Sequence, residues 1–227
     1  MKLAINYANE RYRISQRFNS KRALKFGADR VISYSEKDMT DEFRKKNEEI
    51  LKYKRGGGYW VWKPYIIKDA LSQVQNGDYV IYTDSGSAFV NKIQYLIDAM
   101  EAENTDIMVF SITLPEKEYT KRDAFILMSC DLPEYADTPQ ICSGYIIVKK
   151  SDYSCEFIEK YLQLVQDRRI VTDEPNVMGK ENYEGFIAHR HDQSILSLLS
   201  KKEGIPAFRD PSEWGKNYLE FSEVIND

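Results

Sequence analysis

The 227-residue chain is poor in the residues that most often bind metals. It has three Cys and two His, and no two Cys form a CxxC pair. This composition excludes a zinc ribbon and a disulfide scaffold, and two His in one short stretch exclude most multi-histidine metalloenzymes. Long apolar runs are also missing, which excludes a membrane-spanning helix, and the first residues lack the apolar core of a signal peptide. We therefore expect a globular, cytoplasmic protein.

Charge is unevenly distributed along the chain, although the net charge is only −4. Residues 1–68 hold 17 Lys+Arg and 8 Asp+Glu, a net of +9, and the remainder holds 15 and 28, a net of −13. Either this is uneven surface decoration or the N-terminal part attracts a polyanion such as a phosphate. The acidic whole and the lack of a nucleic-acid motif argue against nucleic acid. Segment 11–25 is a candidate for peripheral membrane contact through its basic residues Arg11, Arg13, Arg17, Lys21, Arg22 and Lys25.

Apolar periodicity alternates between strands and helices. It predicts strands over 2–7, 30–34, 78–83, 106–113, 141–148 and 205–208. It predicts helices over 14–26, 40–53, 63–75, 91–103, 121–129, about 152–166, 191–202 and, in the tail, 212–225. Such alternation indicates one α/β domain over residues 1–227, with a mostly parallel central sheet flanked by helices. Ligands of such sheets bind beyond the carboxyl ends of the strands, so residues directly after strands carry the most weight.

Two glycine-containing segments stand where a ligand is expected. Asp84-Ser85-Gly86 follows the strand that ends Tyr82-Thr83, and it is either a ligand contact or a capped turn. Three glycines, Gly56 to Gly58, precede four aromatic residues within seven positions. Flat rings beside a turn suit stacking on a base or a sugar, and a lysine at a helix start suits a phosphate. The alternative is that one of Trp60 and Trp62 belongs to the core.

Three further segments carry polar side chains at element ends. Ser143-Gly144 opens a strand and is either a ligand border or a bulge. Asp192-Gln193 opens a helix and is either functional or a simple cap. Lys121, Arg122 and Asp123 stand at another helix start, where the basic pair could bind a diphosphate or be solvated.

Together these motifs resemble those of retaining sugar-nucleotide glycosyltransferases of the GT-A fold, in particular the galactosyltransferases of glycosyltransferase family eight. Tyr82-Thr83-Asp84-Ser85-Gly86 is similar to the family's Asp-x-Asp strand end. Cys142-Ser143-Gly144 is similar to its Asn-(Ala/Ser)-Gly strand, and Asp192-Gln193-Ser194-Ile195-Leu196 to its Asp-Gln-x-x-Leu helix. The Trp-Val-Trp-Lys-Pro and His-Arg-His-Asp-Gln-Ser segments resemble those of bacterial capsule and lipopolysaccharide glycosyltransferases.

The resemblance implies a Rossmann-like GT-A domain that transfers a sugar, with retention, from a UDP-sugar to a glycan or lipid-linked acceptor. Residues 1–115 would then form the nucleotide-binding half, and residues 116–227 the acceptor and catalytic half. The implied catalytic residues are Asp84, Asp192 and Gln193. The implied nucleotide-sugar contacts are Tyr7, Ala8, Asn9, Arg13, Trp60, Trp62, Lys63, Tyr82, Thr83, Ser85, Gly86, Arg122 and Asp123, with Arg17 nearby. Ser143, Gly144 and His191 would border the acceptor and the donor sugar.

Two departures from the family pattern concern the metal. The second carboxylate of Asp-x-Asp is replaced by Gly86, and no His follows His191. Asp84 is then the one family-type ligand for Mn²⁺ or Mg²⁺, which leaves metal dependence open; Lys63, Lys121 or Arg122 could supply part of the charge. The same departures keep a second hypothesis open, a non-catalytic module that binds a sugar nucleotide or a glycan. A nucleotidyltransferase is disfavoured, because no glycine follows the first strand.

Overall fold

The computed structural model describes residues 1–212, so all but the first residue of the tail helix predicted over 212–225 lies outside the described residues. Its strands are β1 (Lys2–Tyr7), β2 (Arg30–Tyr34), β3 (Tyr79–Thr83), β4 (Ile107–Pro115), β5 (Pro139–Lys149) and β6 (Ala207–Arg209). Its helices are α1 (Arg13–Lys25), α2 (Asp41–Lys46), α3 (Glu48–Leu51), α4 (Gly56–Tyr59), α5 (Trp62–Ser72), α6 (Ile93–Ala102), α7 (Glu116–Tyr119), α8 (Arg122–Leu127), α9 (Pro133–Ala136), α10 (Asp152–Val165), α11 (Arg168–Val171) and α12 (Asp192–Lys202). Every predicted strand is present within two residues at either end.

The strands form one sheet in the order β2-β1-β3-β5-β4-β6. β1 runs parallel to β2 and β3, and β4 runs parallel to β6. β5 lies between β3 and β4 and is antiparallel to both. Its first residues therefore reach the same edge of the sheet at which β1 and β3 end. The prediction of a mostly parallel α/β sheet is confirmed.

Each face of the sheet is covered by its own apolar cluster. Leu3 and Ile5 of β1 pack in the larger cluster, together with residues of α5, α10 and α12. Ala4, which points to the opposite face, packs in the smaller cluster with residues of α1 and α6. Strand side chains alternate between faces, so burial of neighbouring residues on opposite sides produces a sheet sandwiched between helix layers.

Local capping agrees with the sequence at several helix ends and explains one error. The Thr40 side chain accepts a hydrogen bond from the backbone N–H of Phe43 at the start of α2, and Ser151 forms a capping box at the start of α10. The helix predicted over 40–53 is divided into α2 and α3 at Asn47. The side-chain amide of Asn47 donates to the carbonyl of Phe43 at 2.8 Å. Such a local side-chain bond competes with helix continuation.

Within residues 1–212, no helix combines the length and the apolar character that crossing a membrane requires.

Candidate functional site

A cavity of about 770 Å³ opens at the carboxyl ends of β1 and β3, as the general rule for such sheets predicts. Its size lies within the range of small-molecule sites, roughly 300–1,000 Å³. The predicted residues that line it are Tyr7, Ala8, Asn9, Trp60, Trp62, Asp84, Ser85 and Gly86. The remaining lining residues that carry charge are not among the predicted site residues; they are Glu36, Arg44, Glu48 and Lys52.

An aromatic wall forms one side of this cavity. Tyr7 and Trp62 stack with their ring centroids 3.7 Å apart and their planes 19° from parallel. The indole N–H of Trp62 donates to the carbonyl of Gly56 at 2.9 Å, which fixes the ring. Both Trp60 and Trp62 line the cavity. Trp60 is half-buried, whereas Trp62 is buried and also belongs to the core.

A left-handed turn holds this wall in place. Gly56, Gly57, Gly58, Tyr59 and Trp60 all have positive φ. A Cβ on Gly56 would lie 2.4 Å from the Trp60 ring, and one on Gly58 would lie 2.9 Å from the Cα of Leu51, so the chain needs glycine there. Tyr59 and Trp60 adopt the same conformation at a cost of about 1 kcal/mol or more each. Such backbone strain clusters at ligand sites.

Asp84 is the carboxylate on the floor of the cavity. Its side chain is 44% exposed, while its backbone N–H donates to the carbonyl of Gly144 at 2.7 Å. The hydroxyl of the buried Tyr82 donates to its Oδ1, and burial followed by the Asp84 charge raises the pKa of Tyr82 well above its usual value. A Cβ on Gly144 would lie 3.5 Å from Asp84 Oδ2. A methyl group at this position would be in ordinary van der Waals contact with the carboxylate.

Lys63 lies behind Asp84 and joins two carboxylates. Its ammonium is 2.6 Å from Asp192 Oδ2 and 3.8 Å from Asp84 Oδ1, and it also donates to the carbonyl and hydroxyl of Ser143. The side chains of Lys63 and Asp192 are only 2% and 4% exposed. Burial lowers the pKa of Lys63, but the charges of Asp192 and Asp84 outweigh it and raise the pKa. Lys63 is therefore a fixed cation beneath the cavity floor.

Asp192 takes part in this ion pair and does not cap its helix. The N-cap of α12 is the preceding residue, His191, and the cap has no side-chain hydrogen bond. The buried hydroxyl of Tyr161 donates to the Asp192 carboxylate at 3.2 Å. The interpretation of Asp192 as a simple cap is thus wrong.

Gln193 connects α12 to the beginning of β5. Its side-chain oxygen accepts from the backbone N–H of Ser143 at 3.2 Å, and its amide donates to Gln140 Oε1 at 2.7 Å. Cys142 lies beside this contact, and burial raises the pKa of its thiol, so the thiol stays protonated. The three motifs that contain Asp84, Ser143-Gly144 and Asp192-Gln193 therefore meet in one polar cluster, although they are far apart in sequence.

His191 packs behind the aromatic wall. Its ring lies 5.7 Å from the Trp60 ring and 4.5 Å from the Tyr59 ring, and its Nδ1 bonds the carbonyl of Val171 at 2.9 Å. Burial lowers the pKa of His191 to about 4. His189 is buried alongside, with its pKa lowered well below the usual value by burial and by His191. Both imidazoles are neutral at pH 7.

Besides Lys63 and Tyr82, four predicted nucleotide contacts have other partners. Arg13 is exposed and pairs with Glu10 at 3.6 Å, and the Thr83 hydroxyl accepts from the Asn19 amide. Arg122 pairs with Asp131 at 2.7 Å, and its guanidinium carbon lies 3.8 Å from the centroid of a neighbouring tyrosine ring. Asp123 is fully buried, and its carboxylate accepts the backbone N–H groups of residues 177 and 178. None of these four residues lines the cavity. Lys121, another basic candidate, donates to the carbonyl of residue 174.

Sequence reasoning missed Tyr161, Arg44 and Lys52. Tyr161 stands within the apolar stripe of α10, where a buried hydroxyl needing a partner was the available signal. Arg44 and Lys52 read as surface charges of short helices. Both line the cavity, Arg44 from before the division at Asn47 and Lys52 from after it.

The residues of the site do not fit a protein-held divalent cation. In the described part of the chain, no group of three or more His, Cys, Asp or Glu is placed to hold a metal ion. Asp84 offers one carboxylate, Gly86 offers none, and Asp192 is already bound to the Lys63 ammonium. Hard divalent cations need six or more oxygen ligands, and a fixed cation 3.8 Å from Asp84 Oδ1 opposes a second one. We therefore derive no chemical step through a metal.

The fold is that of the GT-A-like glycosyltransferases. Over 99% of its length, the chain is similar to mouse xyloside xylosyltransferase 1, covering 91% of that structure with a TM-score of 0.50 and 13% identity. It is similar over 86% of its length to the bifunctional glycosyltransferase WbbM, of which it covers 36%, with a TM-score of 0.50 and 9% identity. It also matches the galactosyltransferase LgtC over 88% of its length and 70% of that chain, with a TM-score of 0.45 and 11% identity.

At these identities the first two likenesses establish the fold and nothing finer. In sequence, no family model and no curated protein matches the chain.

Proposed function

We propose that this protein is a glycosyltransferase that transfers a sugar from a nucleotide-diphosphate sugar to a glycan or lipid-linked acceptor. The observation that carries the proposal is the half-exposed Asp84 on the floor of a 770 Å³ cavity, backed by the buried Lys63–Asp192 ion pair. The GT-A-like fold and the ordered family-eight motifs support it. We further propose a UDP-sugar donor, such as UDP-galactose or UDP-glucose, and a role in the synthesis of capsule or lipopolysaccharide.

The cavity suggests how each part of the donor binds. The nucleobase would lie against the aromatic wall of Tyr7 and Trp62, since flat rings stack favourably. The diphosphate would lie beside Arg44 and Lys52. The donor sugar would then reach Asp84, which accepts hydrogen bonds from sugar hydroxyls.

Catalysis in this arrangement depends on orientation and on stabilisation of charge that develops as the bond to the leaving diphosphate breaks. Asp84, held by Tyr82 and by the backbone of Gly144, would face the oxocarbenium-like sugar. Lys63 and Asp192 would fix Asp84 and Ser143 in position, and Gln193 would hold the start of β5. The neutral Cys142 thiol argues against a covalent intermediate on that residue. We propose a single displacement in which the acceptor hydroxyl attacks from the face that the diphosphate leaves and gives its proton to the departing diphosphate, so that the anomeric configuration is retained.

The test is turnover by purified protein with UDP-galactose and UDP-glucose, with and without glycan acceptors. Asp84→Asn keeps the shape of the side chain and removes its charge, so we expect kcat/KM to fall about 100-fold or more. Asp98→Asn, on the exposed surface of α6, is the matched control and should leave turnover unchanged. Equal activity of Asp84→Asn and wild type would contradict the site, and the anomer of the product, read by NMR, tests retention.

A second candidate is a module that binds a sugar nucleotide or a glycan without turnover. The observation that favours it is the reduced acidic motif, in which Gly86 stands where a second carboxylate would be. Calorimetry with UDP distinguishes the two candidates when it is combined with the turnover assay. Binding without transfer or hydrolysis across many acceptors would favour the module.

A further inference from the structure

Helix α1 turns its largest apolar side chains to solvent. Ile14 and Phe18 are 83% and 57% exposed. They stand four residues apart and therefore lie on one face of the helix, and Lys21 and Lys25 continue that face by further steps of three and four. We call these four residues the outer face of α1.

Two of the three buried residues of the same helix are polar, and the third is Ala23. The Gln16 amide donates to the carbonyl of Tyr34 at 2.8 Å, and the Asn19 amide donates to the Thr83 hydroxyl at 2.8 Å. Both side chains are buried. The helix thus departs from the usual amphipathic order, because a surface helix normally buries its large apolar side chains rather than two amides. Packing of the fold does not account for the exposure of Ile14 and Phe18.

Positive charge surrounds the exposed apolar pair. Segment 11–25 contains six Lys or Arg and no Asp or Glu. The Arg22 guanidinium lies 6.0 Å from the centroid of the Phe18 ring, and Arg13 pairs with Glu10 just before the helix. Apolar side chains between basic ones are typical of helices that lie in the interface of an anionic bilayer.

The outer face lies beside the mouth of the cavity. Tyr12, the residue before α1, is 46% exposed and lines the cavity. On the flank next to Phe18, Arg22 Nε donates to the carbonyl of Phe89 at 2.7 Å, which holds a loop whose Val90 is 57% exposed. Tyr12, at the start of α1, and Val90, next to the residue that Arg22 binds, are thus two further exposed apolar side chains near the helix.

We propose that the outer face of α1 binds the surface of a bilayer that contains anionic phospholipid. Ile14 and Phe18 enter the boundary between headgroups and acyl chains, and the basic residues contact lipid phosphates. Solvent-exposed large apolar side chains favour a bilayer over a nucleic acid, whose backbone offers charge without an apolar layer. The proposal goes beyond the transferase function and does not depend on it, and it brings the cavity mouth next to a lipid surface.

Co-sedimentation with vesicles tests the proposal without any sugar nucleotide. Purified protein is mixed with phosphatidylcholine vesicles, and with vesicles of phosphatidylcholine and phosphatidylglycerol. Two paired variants are compared with wild type, Ile14→Ser/Phe18→Ser and Arg17→Gln/Lys21→Gln. Lys45→Gln/Lys46→Gln is the matched control, because it removes two exposed charges from α2. Thermal unfolding of each variant confirms that it is folded.

We expect wild type to bind the anionic vesicles and not the neutral ones. Each basic residue near an anionic leaflet contributes about a fivefold factor to the partition coefficient, so Arg17→Gln/Lys21→Gln should weaken binding about 25-fold. Ile14→Ser/Phe18→Ser should weaken it at least tenfold, whereas Lys45→Gln/Lys46→Gln should stay close to wild type. Absent binding by wild type, or equal binding by any folded α1 variant and the α2 control, would overturn the proposal. Binding to polyuridylate but not to vesicles would also overturn it and would indicate a nucleic-acid surface.

Discussion

Replacing Lys63 tests whether the buried ion pair organises the site. Lys63→Met keeps the length of the side chain but leaves Asp192, whose side chain is 4% exposed, without its cation. It also removes the bonds to the Ser143 carbonyl and hydroxyl. Removing one partner of a buried pair costs about 3–5 kcal/mol of unfolding free energy. For a protein of this size that corresponds to a fall in Tm of about 6–20 °C.

Lys68→Met, on the same helix, is the matched control. Lys68 pairs with Glu159 at the same distance of 2.6 Å, but these side chains are 55% and 39% exposed. Exposed pairs contribute about 1 kcal/mol at most, so its Tm should change by less than about 4 °C. The double variant Lys63→Met/Asp192→Leu should recover much of the loss, because apolar residues replace both charges. If thermal unfolding finds Lys63→Met no less stable than Lys68→Met, the reasoning is refuted.

Two further predictions concern metal and pH. Because Arg44 and Lys52 supply positive charge beside the proposed diphosphate, calorimetry should find the affinities for UDP with EDTA and with Mn²⁺ within about tenfold of each other, 1.4 kcal/mol. A gap of 100-fold or more would contradict this. Burial lowers the pKa of His191 to about 4 and also lowers that of His189, so unfolding takes up protons below pH 6.5. Stability is then fully present above pH 6.5 and falls toward pH 4 by up to about 1.4 kcal/mol per pH unit for each His. Urea unfolding at several pH values gives the slope of the unfolding free energy against pH. In His191→Asn this slope should be smaller by the contribution of one proton, and an unchanged slope would count against the lowered pKa of His191.

The fold could largely be predicted from the sequence, because the pattern of apolar residues that marks a buried strand lies within a few consecutive positions. Ile5 and Tyr82 stand in short apolar runs bounded by turn residues, which mark strands whatever the rest of the chain does. The ends of helices followed equally local signals, such as the cap at Thr40. The division at Asn47 could not be predicted. A side-chain bond to the backbone interrupts a helix only when the side chain has the right orientation, and the sequence does not give that orientation.

The site could be predicted only as separate motifs. The positions of Asp84 and Asp192 at element ends mark both as site candidates, but their connection through Lys63 depends on tertiary packing. Lys63 was expected to meet a phosphate at the start of a helix, whereas the structure turns it inward to Asp192. Asp123 resembled a ligand contact at a helix start, whereas the backbone of a distant loop occupies its carboxylate. The spacing of motifs along a chain does not show which residues that are far apart in sequence will pair in the fold.

The burial of Lys63 against Ser143 and Asp192 has a consequence for biosynthesis. Lys63 is made early, but Ser143 and Asp192, which satisfy its ammonium, follow 80 and 129 residues later. At about 5–20 residues per second, the ribosome adds Asp192 roughly 6–26 s after Lys63. Until then the emerging chain holds a lysine that cannot be buried without its counter-ion. The pocket floor is therefore completed after most of the chain has been synthesised, and a nascent chain that stops before residue 192 would leave this lysine in water.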